Sequence, residues 1–133
     1  MKKLYIDVDG VLLTTKNTQP AEDSTLFINF ITKEYDCYWL TTHCKGNNKT
    51  VLNYLSPYFE TETLSNLTHI KPTNWDTLKT EVIDFSAEFY WIDDQPLQNE
   101  IEVLKKQDAL DRLIIVDLKK QGELKRIINM LRR

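Results

Sequence analysis

The chain alternates short apolar, β-rich runs with segments whose apolar residues recur at helical spacing. This alternation is typical of right-handed βαβ units on a parallel sheet. It predicts an α/β fold in which one domain, residues 1–133, contains a central parallel sheet of five strands. The runs place these strands over residues 3–8, 36–41, 67–70, 88–92 and 112–117.

Helical spacing is present in most of the gaps between the predicted strands. The last helix is the clearest, because its apolar residues follow an i, i+3, i+4, i+7 pattern from Leu124 to Leu131. The same reasoning predicts helices around Leu26–Ile31, Val51–Leu55, Trp75–Val82 and Leu97–Leu104. Helix-start signals precede three of them: Asp23 or Ser24, Asn47 or Asn48, and Pro96.

Two of the predicted strands end in pairs of carboxylates. Asp7 and Asp9 come at the end of the first run, and Asp93 and Asp94 follow the fourth. Because ligands of an open parallel sheet bind beyond the carboxyl ends of its strands, two such pairs on adjacent strands would converge. Four crowded carboxylates repel one another unless a cation lies among them. The sequence therefore predicts a divalent metal site at this edge of the sheet.

Each acidic pair also has a simpler interpretation. Asp7-Val8-Asp9-Gly10 would otherwise be a polar turn, and Asp93-Asp94 would begin a turn and cap a helix. A calcium loop does not fit, because it needs another acidic or amide residue before its glycine and a glutamate later. The joint occurrence of the two pairs favours the metal site.

Further residues complete an ordered set of motifs. The second predicted strand ends in Thr41 and Thr42, and a lysine, Lys71 or Lys79, precedes the strand that carries Asp93. In this order the chain resembles the haloacid dehalogenase (HAD) superfamily of phosphohydrolases, whose motifs are Asp-x-Asp, Thr or Ser, Lys, and an acidic pair. Trp-Leu-Thr-Thr and Trp-Ile-Asp-Asp look most like small stand-alone HAD domains, some of which occur with RNA-repair enzymes.

The resemblance implies a Rossmann-like three-layer sandwich and a Mg²⁺-dependent phosphohydrolase. Asp7 would attack phosphorus and form an aspartyl-phosphate, and Asp9 would protonate the leaving oxygen and then activate water. Thr41 and the lysine would stabilise the transferring phosphoryl group. The implied catalytic residues are Asp7, Asp9, Thr41 and Lys79; the metal site comprises Asp7, the Asp9 carbonyl, Asp93 and Asp94; the substrate-binding candidates are Gly10, Thr42, His43 and Lys71.

The lysine of the third motif has two candidates. Lys71 stands before a proline at a distance from Asp93 that is usual for the family. Lys79 belongs to a Leu-Lys-Thr segment that resembles the lysine helix start of the small stand-alone members. The resemblance favours Lys79 as the catalytic lysine, and it leaves open whether Asp93 or Asp94 binds the metal directly.

The spacing of the motifs also bears on the substrate. HAD enzymes that act on small metabolites commonly carry a cap domain between motifs, but the intervals from Asp7 to Thr41 and from Thr41 to Lys79 are too short for one. An open site suits a large phosphorylated substrate, such as a nucleic-acid end or a phosphoprotein, unless another subunit covers it. Lys45 and Lys49 are candidates for steering such a polyanion.

The charge and the cysteine content of the chain argue against several classes of protein. The net charge of −3 argues against general affinity for nucleic acid or anionic membrane, so individually placed groups must bind phosphate. Cys37 and Cys44 are predicted to be free thiols. Asp7 and Asp9 interrupt the apolar stretch that a signal peptide requires. We therefore expect a cytoplasmic protein that does not bind membranes, and the sequence leaves the oligomeric state open.

Two alternatives from other classes share some of these features. A receiver-like phospho-acceptor domain also uses acidic residues, a threonine and a lysine, but in a different order along the chain. Here the fifth predicted strand ends in Val116-Asp117-Leu118-Lys119, without the receiver pattern. A catalytically degenerate HAD-like domain would bind phosphate without hydrolysing the ester.

Overall fold

The computed structural model describes residues 1–133 as an α/β fold around a parallel sheet, compatible with a Rossmann-like sandwich. Four strands pair in the order β2-β1-β3-β4: β1 (Lys3–Ile6), β2 (Asp36–Trp39), β3 (Phe89–Asp93) and β4 (Leu113–Ile115). Five α-helices connect and follow them: α1 (Ser24–Glu34), α2 (Lys49–Leu55), α3 (Thr61–Leu67), α4 (Gln98–Lys106) and α5 (Glu123–Leu131).

The sheet separates two apolar clusters, because successive side chains of a strand point to opposite faces. Leu4 and Ile6 of β1 belong to the larger cluster, together with residues of α1, α2, α3 and α5. Tyr5 of the same strand belongs to the smaller cluster, in which Trp91 of β3 and Leu104 of α4 are fully buried. Parallel strands that are buried on both faces read as nearly continuous apolar runs, which is why the sequence pattern locates β1 and β3 well.

Four of the predicted helices are confirmed as α1, α2, α4 and α5. The regular apolar stripe of α5 is buried on one side, with Leu124 and Ile127 fully covered. The start signals also lie close to the observed beginnings, since α1 begins at Ser24, α2 follows Asn48, and α4 begins two residues after Pro96. None of the helices combines the length and the apolar character that crossing a bilayer requires.

The prediction of a five-stranded sheet is wrong, because residues 67–70 do not form a strand. Their region is the end of α3 and a turn, in which the N–H groups of residues 68–70 donate back to carbonyls of residues 64–67. These N–H groups are therefore not available to a strand ladder. Next to this turn, Lys71 alone bridges to β2, where its N–H donates to the Cys37 carbonyl at 2.9 Å and its carbonyl accepts the Trp39 N–H at 2.8 Å.

The prediction of a helix around Trp75–Val82 is also wrong. Only a short 3-10 helix, Lys79–Val82, forms there. The Glu81 carboxylate accepts the backbone N–H groups of Asp76, Thr77 and Leu78 at 2.8 to 3.0 Å. Such side-chain bonds to nearby backbone compete with helix formation and hold the segment as a loop that leads into Lys79.

Candidate active site

The carboxyl ends of β1 and β3 lie side by side, because the two strands pair in parallel with Ile6 opposite Ile92. Asp7 follows β1, Asp93 ends β3, and Asp94 comes next in the chain. One carboxylate oxygen from each of these three residues lies within 4.8 Å of the other two. Asp7 is 8% exposed and Asp93 1%. We call Asp7, Asp93 and Asp94 the acidic trio.

The Lys79 ammonium is the positive charge that the fold brings to the acidic trio. Its Nζ lies 2.7 Å from Asp93 Oδ2 and 3.4 Å from Asp7 Oδ2. Burial alone would lower the pKa of Lys79, but the carboxylates of Asp7 and Asp93 raise it above its ordinary value. Lys79 therefore stays protonated and offsets part of the negative charge.

One ammonium does not neutralise three carboxylates. Burial and then the nearby Asp93 carboxylate raise the pKa of Asp7 to about 7, against the opposing effect of Lys79. Burial and Asp93 also raise the pKa of Asp94 above its ordinary value. Because an added cation would favour the ionised forms, and because carboxylate oxygens are hard ligands, the acidic trio fits a hard divalent metal ion.

The side chain of Asp9 stands apart from the acidic trio. Its Oδ2 lies 2.8 Å from His43 Nε2, and its Oδ1 accepts a hydrogen bond from the Tyr54 hydroxyl at 3.0 Å. The rings of His43 and Tyr54 are stacked, with centroids 3.9 Å apart. Residues from the loop after β2 and from α2 therefore orient this carboxylate. The metal contact implied for Asp9 involves its backbone carbonyl and does not require the side chain.

Gly10 lies directly against the acidic trio. Its φ is +80°, a conformation that favours glycine, and a Cβ at this position would collide with the Asp94 carboxylate. The sequence predicts Gly10 as a substrate-binding residue, and in the structure its lack of a side chain leaves room for Asp94.

The two threonines after β2 differ in exposure. Thr41 is 1% exposed, and its hydroxyl oxygen accepts the His43 N–H at 3.3 Å. Because that oxygen accepts, the hydroxyl proton is left to donate to another group. Thr42 is exposed to solvent. His43 is partly buried, in contact with Asp9 as described.

The structure brings Lys79, and not Lys71, to the acidic trio. The Lys71 Nζ lies 2.9 Å from Asp36 Oδ1, and Asp36 begins β2 at the opposite end of the sheet. The carboxylate of Asp36 also raises the pKa of Lys71 through this hydrogen bond. In this structure Lys71 therefore contacts none of the other substrate-binding candidates.

Two residues near the site were not identified from the sequence. Glu100 of α4 is 2% exposed and accepts the Lys79 N–H at 2.6 Å and the Leu97 N–H at 2.8 Å. Glu100 stands three residues after the first residue of the helix cap, Leu97, which is typical of a capping glutamate. The local sequence does not indicate its contact with Lys79. Tyr54 lay in an amphipathic segment that carries no signal for a contact with Asp9.

Comparison with known proteins does not supply an identity. A scan of protein-family models gives no match to this chain, and a search of curated proteins gives none either. The chemistry of the site is therefore inferred from its own residues and from their order along the chain.

Proposed function

We propose that this protein is a HAD-type phosphohydrolase that cleaves a phosphate monoester with Asp7 as nucleophile and Mg²⁺ as cofactor. The observation that carries the proposal is the convergence of the acidic trio within 4.8 Å, with Lys79 Nζ 3.4 Å from Asp7. The order of motifs from Asp7 to Asp94 supports the same reaction independently.

The reaction would begin with attack of the Asp7 carboxylate on phosphorus. The bond to the leaving oxygen would break, and an aspartyl-phosphate would form. Asp7 Oδ1 accepts the Val8 N–H at 2.8 Å, which fixes the orientation of the carboxylate. A divalent ion held by the acidic trio and the Asp9 carbonyl would supply charge neutralisation where the carboxylate meets the phosphate. Lys79 would help to keep Asp7 ionised despite its burial.

Asp9 would act as the general acid in the first step and as the general base in the second. Its carboxylic acid would protonate the leaving oxygen, and the resulting carboxylate would accept a proton from the water that attacks the aspartyl-phosphate. The products would be inorganic phosphate and regenerated Asp7. The contacts of Asp9 with His43 and Tyr54 would set its direction toward the leaving group.

Thr41 and Lys79 would stabilise the phosphoryl group during transfer. The Thr41 hydroxyl retains a proton to donate, because its oxygen already accepts the His43 N–H. The Lys79 ammonium would add a fixed positive charge on the same side as Asp7. Preorganised donors of this kind act on charge that develops in the transition state, where removing one costs about 10²-fold in rate.

The substrate that we propose is large, such as a nucleic-acid end or a phosphoprotein. The interval from Asp7 to Thr41 contains α1 and β2, and the interval from Thr41 to Lys79 contains α2 and α3. No inserted domain covers the acidic trio, which supports access for a macromolecular phosphate.

Hydrolysis of an aryl phosphate tests the proposal. We expect turnover of p-nitrophenyl phosphate in Mg²⁺, its loss in EDTA, and a fall of about 10⁴-fold or more in Asp7→Asn, because the nucleophile is removed. Asp84→Asn is the matched control, since Asp84 pairs with Lys3 far from the acidic trio. Near wild-type activity in Asp7→Asn would contradict the mechanism. A protein that binds phosphate mimics without turnover would instead be a phosphate-binding domain.

A further inference from the structure

A cleft of about 690 Å³ lies beside the acidic trio on the β4 side of the molecule. Gly10 and Asp94 line both the cleft and the candidate active site. We infer that this cleft holds the leaving group of the substrate, and that the leaving group is a nucleotide with a second phosphate bound by Lys16 and Lys119. The inference rests on the proposed phosphohydrolase function and adds the direction and chemistry of the substrate.

Hydrogen bonds hold the chain segments that flank the cleft. One wall includes residues 14–16 and the other residues 115–119. The Gly122 N–H donates to Glu22 Oε1 at 2.7 Å and connects the segments that continue these walls. The buried Glu123 carboxylate accepts the Asp117 N–H at 2.8 Å and fixes the second wall. The cleft is thus preformed, and its volume lies in the range common for small-molecule sites.

Two lysines of the cleft, Lys16 and Lys119, have no ion-pair partner in the protein. Neither the Lys16 nor the Lys119 ammonium has a carboxylate within 4.0 Å. Two carboxylates also line the cleft: Asp94 belongs to the acidic trio, and Asp117 Oδ1 accepts the Lys119 backbone N–H at 3.1 Å. Unpaired ammonium groups in a cleft attract an anionic ligand. A second phosphate on the substrate meets this requirement.

The same cleft has an apolar side. Ile115 is 52% exposed although it belongs to a strand, and Leu118 lines the cleft nearby. These two residues and Val116 are the three apolar ones among the eleven that line the cleft, and they form a patch on which a ring can pack. A base or sugar ring packed there would leave one phosphate near the acidic trio and the second near Lys16 and Lys119. The terminal nucleotide of a nucleic acid combines these parts, and it belongs to the large substrates proposed above.

Lys45, one of the two steering candidates from the sequence, is already engaged within the protein. Lys45 Nζ donates to the Trp75 carbonyl at 3.3 Å and lies 4.4 Å from the centroid of the Trp75 ring. Neither Lys45 nor Lys49 lines the cleft. The cleft therefore points to Lys16 and Lys119, where the sequence alone had suggested Lys45 and Lys49 as the steering residues.

Kinetics with two substrates test this inference. For the double variant Lys16→Ala, Lys119→Ala we expect the KM of a nucleoside 3′,5′-bisphosphate to rise by about tenfold or more, as for the loss of charged contacts. Its rate with p-nitrophenyl phosphate should stay nearly unchanged, because the acidic trio is untouched. Lys120→Ala is the matched control for Lys119, and Lys45→Ala with Lys49→Ala controls for general charge.

The outcomes separate this inference from the proposed function. Equal losses for the bisphosphate in the Lys45, Lys49 variant and the Lys16, Lys119 variant would overturn the inference, while turnover of p-nitrophenyl phosphate would still support the phosphohydrolase.

Calorimetry with the Asp7→Asn protein gives a second measurement that does not depend on turnover. Binding of the bisphosphate that weakens when Lys16 and Lys119 are replaced supports the cleft. Absence of binding, or equal affinity for a sugar bisphosphate without a base, overturns the nucleotide assignment.

Discussion

The two carboxylates of the Asp-x-Asp motif are only two positions apart but lie in opposite surroundings. The Asp7 side chain is 11% exposed within the acidic trio and faces Lys79, whereas the Asp9 side chain is 44% exposed and contacts His43 and Tyr54. Asp7 directly follows buried β1, while Asp9 belongs to the loop beyond it. One short motif thus supplies one carboxylate whose charge must be balanced and one whose direction must be held.

Among variants that keep both carboxylates of the motif, the largest expected effect comes from Lys79. We expect Lys79→Ala to lower kcat by about 10²-fold or more, because the variant removes the ammonium group 3.4 Å from Asp7 and with it a transition-state contact. Lys71→Ala is the control, since Lys71 pairs with Asp36 at the other end of the sheet. Steady-state rates with an aryl phosphate measure both variants. A larger loss in Lys71→Ala would move the third motif to Lys71.

The charge imbalance around Asp7 also predicts a pH dependence of stability. Without a divalent ion, the folded-state pKa of Asp7 is about 7, compared with an ordinary value of 3.8. Between these values the folded protein binds a proton that the unfolded chain has lost, so the free energy of unfolding should fall as pH rises from about 4 to about 7. Denaturant unfolding in EDTA measures this fall.

Asp7→Asn tests the source of that pH dependence, because it removes the titrating carboxyl group and its repulsion with Asp93. We expect the fall in stability to flatten in the variant and the divalent-ion stabilisation of the wild-type protein above pH 7 to weaken. An unchanged slope in Asp7→Asn would mean that other groups control the stability in this range.

The smallest expected effect concerns the orientation of Asp9. Tyr54→Phe should lower kcat by about 2- to 10-fold, the range for one hydrogen bond. The loss should be greater for an alkyl phosphate than for p-nitrophenyl phosphate, because a poor leaving group depends more on protonation by Asp9.

Tyr58→Phe is the matched control for this variant. The Tyr58 ring lies 6.4 Å from that of Tyr54, and no hydrogen bond to Asp9 is lost when its hydroxyl is removed. Equal losses with the two leaving groups in Tyr54→Phe would indicate a structural effect, not the positioning of an acid.

The sequence by itself determined most strands and helices of the fold and the convergence of the acidic trio. The apolar runs of β1 and β3 mark strands that are buried on both faces, and parallel strands end at the same edge of the sheet. Asp7, Asp93 and Asp94 therefore converge as predicted, whereas the Asp9 side chain, expected to join them, does not. The stripe of α5 likewise predicts its buried side. These features depend on local periodicity, which a sequence displays directly.

Only the tertiary structure decided which distant side chains meet. Glu100 reaches back to the Lys79 backbone and helps to place its ammonium at the acidic trio, and Tyr54 contacts Asp9 across 45 positions of the chain. The third predicted strand does not form, because the backbone N–H groups of residues 68–70 are used in a turn after α3. The cleft that contains Lys16 and Lys119 likewise exists only where two separate loops come together. Such contacts depend on strand order and side-chain packing, which local patterns along a sequence do not specify.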